Sequence, residues 1–343
     1  MRSAEVTATT AARPAPGARG MRRPGRRPTR LAGAALVPLL APLLALLLVL
    51  ALGGCNSIFF QPDRIRYYLP DQFGLIAEDV YFPSADGTQL TGWFLPAQGT
   101  PRGTIVYFHG NAANISNHLV QVRWLPPAGY SVFIFDYRGY GVSSGEPSRE
   151  GLIQDGVAAI DYVRSRKDVN PRRLVVYAQS LGGTVGLSAL ARAGTAGVRA
   201  VVVESGFGSY REEARLFMDD HWFTWPFQYP VAYLFISDDH RGYDALPALA
   251  RVPLLVIAST GDRTVPIEAS RRLFEAFPGT DKTFWTVKGL PHVAMFVRDG
   301  SPWRPRLLAY LADKLGPPPA AGSAAQAAAP GPQVPALAGP GAR

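Results

Sequence analysis

The sequence predicts an α/β fold with a mostly parallel central sheet of about eight strands flanked by helices, and three observations carry the prediction. Eight apolar runs recur along the chain, at residues 79–82, 90–95, 104–108, 132–135, 174–177, 200–203, 254–257 and 283–287. After the first three they alternate with helix-like segments, the pattern of parallel strands covered on both faces. The run Leu174-Val175-Val176-Tyr177 then breaks through Ala178-Gln179-Ser180-Leu181-Gly182-Gly183 into helix-compatible sequence, so that a strand turns abruptly into a helix at a serine.

The elements follow in order. The run Thr104-Ile105-Val106-Tyr107-Phe108 reads as a fully buried strand, and it ends in His109-Gly110-Asn111-Ala112-Ala113-Asn114. Small residues there let backbone N–H groups face a carbonyl oxygen as it gains charge; the expected donors are the N–H of Leu181 and that of Asn111 or Ala112. His109 ends an early strand and reads as a support for this loop. After the next strand, 136–145 is a loop in which Asp136 and Arg138 are expected to brace a turn as a pair. Residues 148–165 form the clearest helix: Ser148 begins it, Glu150 adds early negative charge, and Leu152, Ile153, Val157, Ile160 and Val163 recur at helical spacing.

Around Ser180 the backbone is expected at positive φ, where bulky neighbours would collide with the adjoining strand and helix. Gly182 and Gly183 answer this on the helix side, whereas Ala178 stands where the G-x-S-x-G pattern has its first Gly. A serine hydroxyl is a poor nucleophile near pH 7 and needs a base, which a third group must orient. Two strand exits supply candidates. Asp262 follows the run 254–257 in Ser259-Thr260-Gly261-Asp262, and His292, one of five histidines, follows the run 283–287. Read alone, Gly261-Asp262 is also a turn and His292 a loop histidine. All three stand at strand C-terminal ends, where sites gather in open parallel sheets, and the order Ser180, Asp262, His292 suits a hydrolytic triad.

Between 204 and 252 the chain makes a longer excursion, in which residues 222–235 hold seven aromatics in fourteen positions against 11% in the whole chain. These rings are expected to pack onto the sheet core; the alternative is that they line a pocket beside Ser180 or face a lipid surface. Asp238-Asp239-His240 reads as a solvated turn, and no metal is expected.

Taken together, His109-Gly110-Asn111-Ala112, the stretch 136–145, the Ser180 turn, Gly261-Asp262 with Val265-Pro266, and Gly289 with His292 resemble the α/β-hydrolase superfamily, in its small-cap, serine aminopeptidase-like group. The resemblance covers about residues 78–315. It implies the α/β-hydrolase fold with a small helical cap at about 205–250, and a Ser-Asp-His hydrolase of ester, thioester or amide bonds, without fixing the substrate.

The N-terminus changes the meaning of the charge. Residues 1–30 carry eight Arg and one Glu, a net +7 of the formal +9, and residues 31–54 carry no charge. The basic balance thus belongs to a targeting segment, and nucleic acid is not an expected partner. A basic stretch, 24 uncharged residues and Leu52-Gly53-Gly54-Cys55 resemble a bacterial lipoprotein signal, with Cys55 lipidated and first in the mature chain. The alternative is an uncleaved transmembrane anchor. Met21 offers a second start, which would make residues 1–20 an overcalled beginning. Cys55 is the only cysteine, so no internal disulfide can form.

The expected organisation is therefore a signal at 1–54, a tether at 55–72, a hydrolase domain at 73–315 and a disordered Pro/Ala/Gly tail at 316–343. The expected function is a membrane-tethered serine hydrolase of carboxylic esters or thioesters, on a small-molecule or lipid ester, in the cell envelope facing the periplasm or exterior, with no cofactor. The alternatives are a serine peptidase or acyltransferase of the same fold, and a non-catalytic lipid- or partner-binding lipoprotein.

Overall fold

The computed structural model of the chain describes residues 60–219 and 225–318. The expected signal, Cys55 and all but the first residues of the expected tail lie outside the described residues.

A two-residue strand, β1 (Gln61–Pro62), pairs in parallel with another, β5 (Ala112–Ala113). The main sheet holds β2 (Glu78–Pro83), β3 (Gln89–Leu95), β4 (Gly103–Phe108), β6 (Tyr130–Asp136), β7 (Leu174–Gln179), β8 (Val198–Glu204), β9 (Leu254–Ser259) and β10 (Lys282–Val287). Their spatial order is β10-β9-β8-β7-β4-β6-β3-β2, and β3 alone runs against its neighbours. Each of the eight apolar runs lies within one of these strands.

Burial follows position in the sheet. Edge strand β2 alternates, with Val80 and Phe82 buried between exposed residues, whereas β4, β6, β7 and β9 are buried throughout. Successive side chains of a strand point to opposite faces, so one run feeds two cores. Val106, Phe108, Val176, Val203 and Val256 meet α2 (Arg149–Ser165), α3 (Leu181–Ala193) and α7 (Ile267–Ala276). Ile105, Tyr107, Val175, Val202 and Ile257 meet α1 (Ile115–Val122) and α8 (Trp303–Leu315) on the other face. Ser148 caps α2 as expected, its Oγ accepting the Gly151 N–H at 3.1 Å.

The turn after β6 departs from the expected pairing. Arg138 does not bind Asp136; its guanidinium binds Asp155 on α2 at 2.8 Å and Asp86 at 2.8 Å, tying the β2–β3 turn to the helix. Asp136 faces the N-terminus of α1 and accepts the Ile115 N–H at 2.9 Å, the end of a helix that favours a carboxylate.

Two further expectations change. Residues 60–72, the described part of the expected tether, are docked chain: Phe60 is 3% exposed and β1 pairs with the loop after β4. Between β8 and β9 lie α4 (Tyr210–Asp219), α5 (Gln228–Phe235) and α6 (Gly242–Ala245), and α5 is turned inside out. It buries Gln228 and Ala232 while Tyr229, Tyr233 and Leu234 are 57–74% exposed, as are Trp225 and Phe227 just before it at 57–58%. These rings do not pack onto the sheet core. Gln228 is held inside by hydrogen bonds to Asp219 and Arg215, which fixes the helix with its aromatic side out. Asp238, Asp239 and His240 diverge to Ser209, Ser237 and Glu150, and no group placed to hold a metal occurs among the described residues.

Candidate active site

β7 ends at Gln179, Ser180 adopts φ 54°, and α3 begins at Leu181. The left-handed backbone at a serine is held by its surroundings: the Ser180 N–H donates to the Glu204 carbonyl at 2.9 Å. Gly182 is required by close approach, since a Cβ there would meet the carbonyl oxygens of Phe108 at 2.2 Å and His109 at 2.6 Å. Ala178 is tolerated on the strand side because its methyl lies against Gly186, where a Cβ would stand only 3.2 Å away. The glycine missing from the strand is answered by one in the helix.

The structure brings the three separated residues together. His292 Nε2 lies 3.0 Å from Ser180 Oγ, and its Nδ1 lies 2.7 Å from Asp262 Oδ2. A carboxylate accepts only, so Nδ1 carries the proton toward Asp262 and Nε2 is left to accept from the hydroxyl. The second Asp262 oxygen accepts the N–H groups of Thr264 and Val265, both at 2.9 Å. Ser180 and Asp262 are buried, while the His292 side chain is 21% exposed. The loops after β9 and β10 also hold each other. Ser259 Oγ donates to the Leu290 carbonyl at 2.6 Å, the Gly289 N–H donates to Thr260 Oγ1 at 3.1 Å, and Gly261 lies directly on Gly289. Val293, just after the histidine, sits at φ 48°, a strained place for a β-branched residue.

The loop after β4 closes the other side. A Cβ on Gly110 would lie 3.5 Å from the Ser180 Cβ, so its backbone passes beside the serine. Leu181 opens α3, where helix geometry leaves N–H groups without intrahelical partners. Ala112 is drawn into β5, and Asn111 is the residue between Gly110 and that pairing; its Oδ1 accepts the Gln61 N–H at 3.1 Å and the Tyr140 hydroxyl at 2.9 Å. His109 is fully buried, with Nδ1 2.8 Å from the Gly110 carbonyl. Burial holds its imidazole well below the usual range, hence neutral, and pushes the Asp136 carboxyl, 3.8 Å away, up to about 7.

Sequence reasoning missed a polar floor beneath the serine. Glu204, at the end of β8, is fully buried and accepts from the Tyr177 hydroxyl and, at 3.2 Å, from Gln179 Nε2; Tyr107 in turn donates to Gln179 Oε1 at 2.7 Å. Burial raises the Glu204 carboxyl above the usual range. The available signal was an acidic residue closing the apolar run 200–203, directly across from Gln179 in the β7–β8 register. It also missed Glu213 of α4, buried and raised well above its ordinary range first by burial and then by the charge of Asp262.

Such an arrangement can deprotonate a hydroxyl as it attacks a carbonyl and stabilise both charges that result. The family described as "Serine aminopeptidase, S33" matches residues 99–225. The uncharacterized protein YfhR of Escherichia coli (strain K12) is 34% identical over 265 residues, 76% of this chain and 88% of its own length. The "Alpha/beta hydrolase domain-containing protein WAV2" of Arabidopsis thaliana is 40% identical over 147 residues, 42% of this chain and 47% of its own. Among solved structures, the Pyrococcus furiosus esterase Pf2001 superposes with a TM-score of 0.59 at 21% identity, over 75% of this chain and 98% of that one. That last likeness is one of fold.

Proposed function

This chain belongs to the α/β-hydrolase family, in its serine aminopeptidase-like group, and from that premise we propose that it cleaves carboxylic esters or thioesters through an acyl-enzyme on Ser180. The observation that carries the reading is the hydrogen-bonded series from Ser180 through His292 to Asp262. His292 Nε2 takes the hydroxyl proton as Ser180 Oγ attacks the carbonyl carbon, and Asp262 stabilises the imidazolium. The N–H groups of Leu181 and Asn111 hold the oxyanion. The alcohol or thiol leaves with the proton from His292, and water then repeats the sequence on the acyl-enzyme, releasing the acid and restoring Ser180.

A lipid ester at a membrane is the substrate class we favour. The outward aromatic side of α5 supports it, since tyrosine and tryptophan suit a boundary that is apolar on one side and wet on the other. The sequence at 31–55 supports it independently, through anchoring at Cys55. A second reading, hydrolysis of an aminoacyl amide, draws on the match of residues 99–225 to the serine aminopeptidase family.

The deciding experiment is labelling with a fluorophosphonate probe. The wild-type chain is expected to label and Ser180→Ala to stay blank; equal labelling of the two would end the serine-hydrolase reading. A panel of acyl esters and aminoacyl amides then separates the two substrate classes. Feeding an alkyne fatty acid to cells tests the anchor, with label expected on wild type and absent from Cys55→Ser.

A further inference from the structure

The segment that enters the fold at Phe60 touches the loop beside Ser180 at more points than a chain entry requires. β1 pairs with β5, the Asp63 N–H donates to the Ala113 carbonyl at 3.3 Å, and the Asp63 carbonyl accepts the Gly141 N–H at 2.9 Å. Asn114, the cap of α1, gives Nδ2 to Asp63 Oδ1 and to the Ile65 carbonyl, both at 2.7 Å. The Tyr67 N–H donates to Ser116 Oγ at 2.9 Å. Between these ties Ala113 is held at φ 65°, a conformation that an alanine keeps only when its surroundings over-determine it.

Asn111 is where the ties reach the site. Its Oδ1 is shared by two donors from different parts of the chain, the Gln61 N–H and the Tyr140 hydroxyl, so the side chain is fixed from two directions. A third contact comes from α1, where His118 Nε2 lies 2.8 Å from the Ala112 carbonyl. The loop is therefore held by the entering segment, by Tyr140 and by His118, with its backbone passing next to Ser180.

We propose that residues 60–67 are a working part of the oxyanion apparatus, with Asp63 and Tyr140 as positioning residues that aim the Asn111 backbone N–H at the reacting carbonyl. The inference rests on the reading of Ser180 as an acyl-transfer nucleophile. It makes residues 60–67 a structural member of the site, so that a change in how this segment lies is transmitted to the oxyanion donors. A displaced donor weakens binding of the transition state more than binding of the ester, because the oxyanion forms only as the carbonyl is attacked. The cost of an oxyanion donor removed outright is about a hundred- to a thousandfold, and a donor misplaced but present loses a part of that.

The test uses the full chain in detergent with a soluble acyl ester and an acyl trifluoromethyl ketone, which forms a tetrahedral adduct on a serine. Asp63→Ala and Tyr140→Phe are expected to lower kcat roughly tenfold and to weaken the ketone in parallel, with KM within about twofold. Asp63→Asn, which keeps the acceptor for Asn114, is expected to restore both. Rates within twofold of wild type for both Asp63→Ala and Tyr140→Phe would overturn the proposal. So would losses that follow the melting temperature, or that fall on KM while ketone affinity is unchanged. Ser180→Ala is run alongside: if it keeps wild-type turnover, the nucleophile reading itself has failed, an outcome distinct from failure of the clamp alone.

Discussion

The loops at the C-terminal edge of the sheet and the cap inserted among them obey opposite rules. In the loops, polar groups are buried and paired: Asp262 accepts from His292, Thr264 and Val265, and the segment 109–114 is tied on three sides. In the cap helix α5 and just before it, Trp225, Phe227, Tyr229, Tyr233 and Leu234 face outward and Gln228 faces in. The difference assigns labour. A buried, hydrogen-bonded arrangement would hold the proposed reacting groups at fixed distances, as chemistry demands, whereas an exposed aromatic surface would, on the proposed reading, serve contact with whatever presents the substrate. Changes in the loops should therefore alter turnover of every substrate, and changes in the cap only the choice among them.

The largest effect expected is at Asp262. Asp262→Asn keeps the size of the side chain but removes the charge that fixes the His292 tautomer. By the magnitude this change has in other triads, kcat should fall roughly 10⁴-fold. Steady-state kinetics on a soluble ester and on a membrane-presented one should show the same loss; a loss on one substrate alone would break the division between loops and cap.

Next comes the support of the loop. His109→Phe keeps an aromatic ring among His118, Tyr137 and Tyr140 but leaves the Gly110 carbonyl without its 2.8 Å partner. Stability should fall by about 1–3 kcal/mol in urea titrations, with turnover reduced far less than by Asp262→Asn. A loss of activity equal to that of His292→Ala would make His109 the base and overturn the assignment.

The pH dependence of stability sharpens the same region. The folded Asp136 carboxyl holds its proton up to about 7 against an ordinary value of 3.8. Its contribution to stability is therefore complete below about pH 4 and is lost as the pH climbs toward 7. His109 and His118, held below 6.5 by burial, run the other way. Their contribution is complete above about pH 6.5 and is lost as the pH falls through their folded values. Asp136→Asn keeps the acceptor for Ile115 and should flatten the loss between about pH 4 and 7, measured as urea midpoints. An unchanged slope would mean that another group titrates there.

How much of this the sequence disclosed depends on the range of the forces involved. Strand identities came from local apolar runs, and the residues at the strand ends followed because a parallel sheet gathers them at one edge. Ser180, Asp262 and His292 lie 30 to 112 residues apart in their hydrogen bonds, yet each sat at a legible strand exit. The partner of Arg138 was not legible: Asp136 is two residues away and Asp155 seventeen, and only the packing of α2 selects between them. The docking of residues 60–67 depends on single hydrogen bonds with no periodicity, so composition read it as a spacer. In α5 the sequence shows many aromatics and no rule for which way they point. Gln228, bonded to Asp219 and Arg215, decides that.

The smallest effect is expected at that helix, and it is the one that separates the cap from the loops. Tyr233 and Leu234 are 60% and 74% exposed, so Tyr233→Ser and Leu234→Ser remove little buried area. Surface changes of this kind stay within about 0.5 kcal/mol of stability. Turnover of a short soluble ester should be unchanged, because neither side chain belongs to the hydrogen-bonded site. What the variants lose is apolar area available to an acyl phase, worth about 25 cal/mol per Å² transferred, so hydrolysis of a long-chain monoacyl ester carried in phospholipid vesicles should drop several-fold. The comparison between the two substrates is decisive in either direction. Equal losses on both would mean that α5 supports the site's structure, and no loss on either would remove the lipid surface from the cap's role while leaving the chemistry at Ser180 untouched.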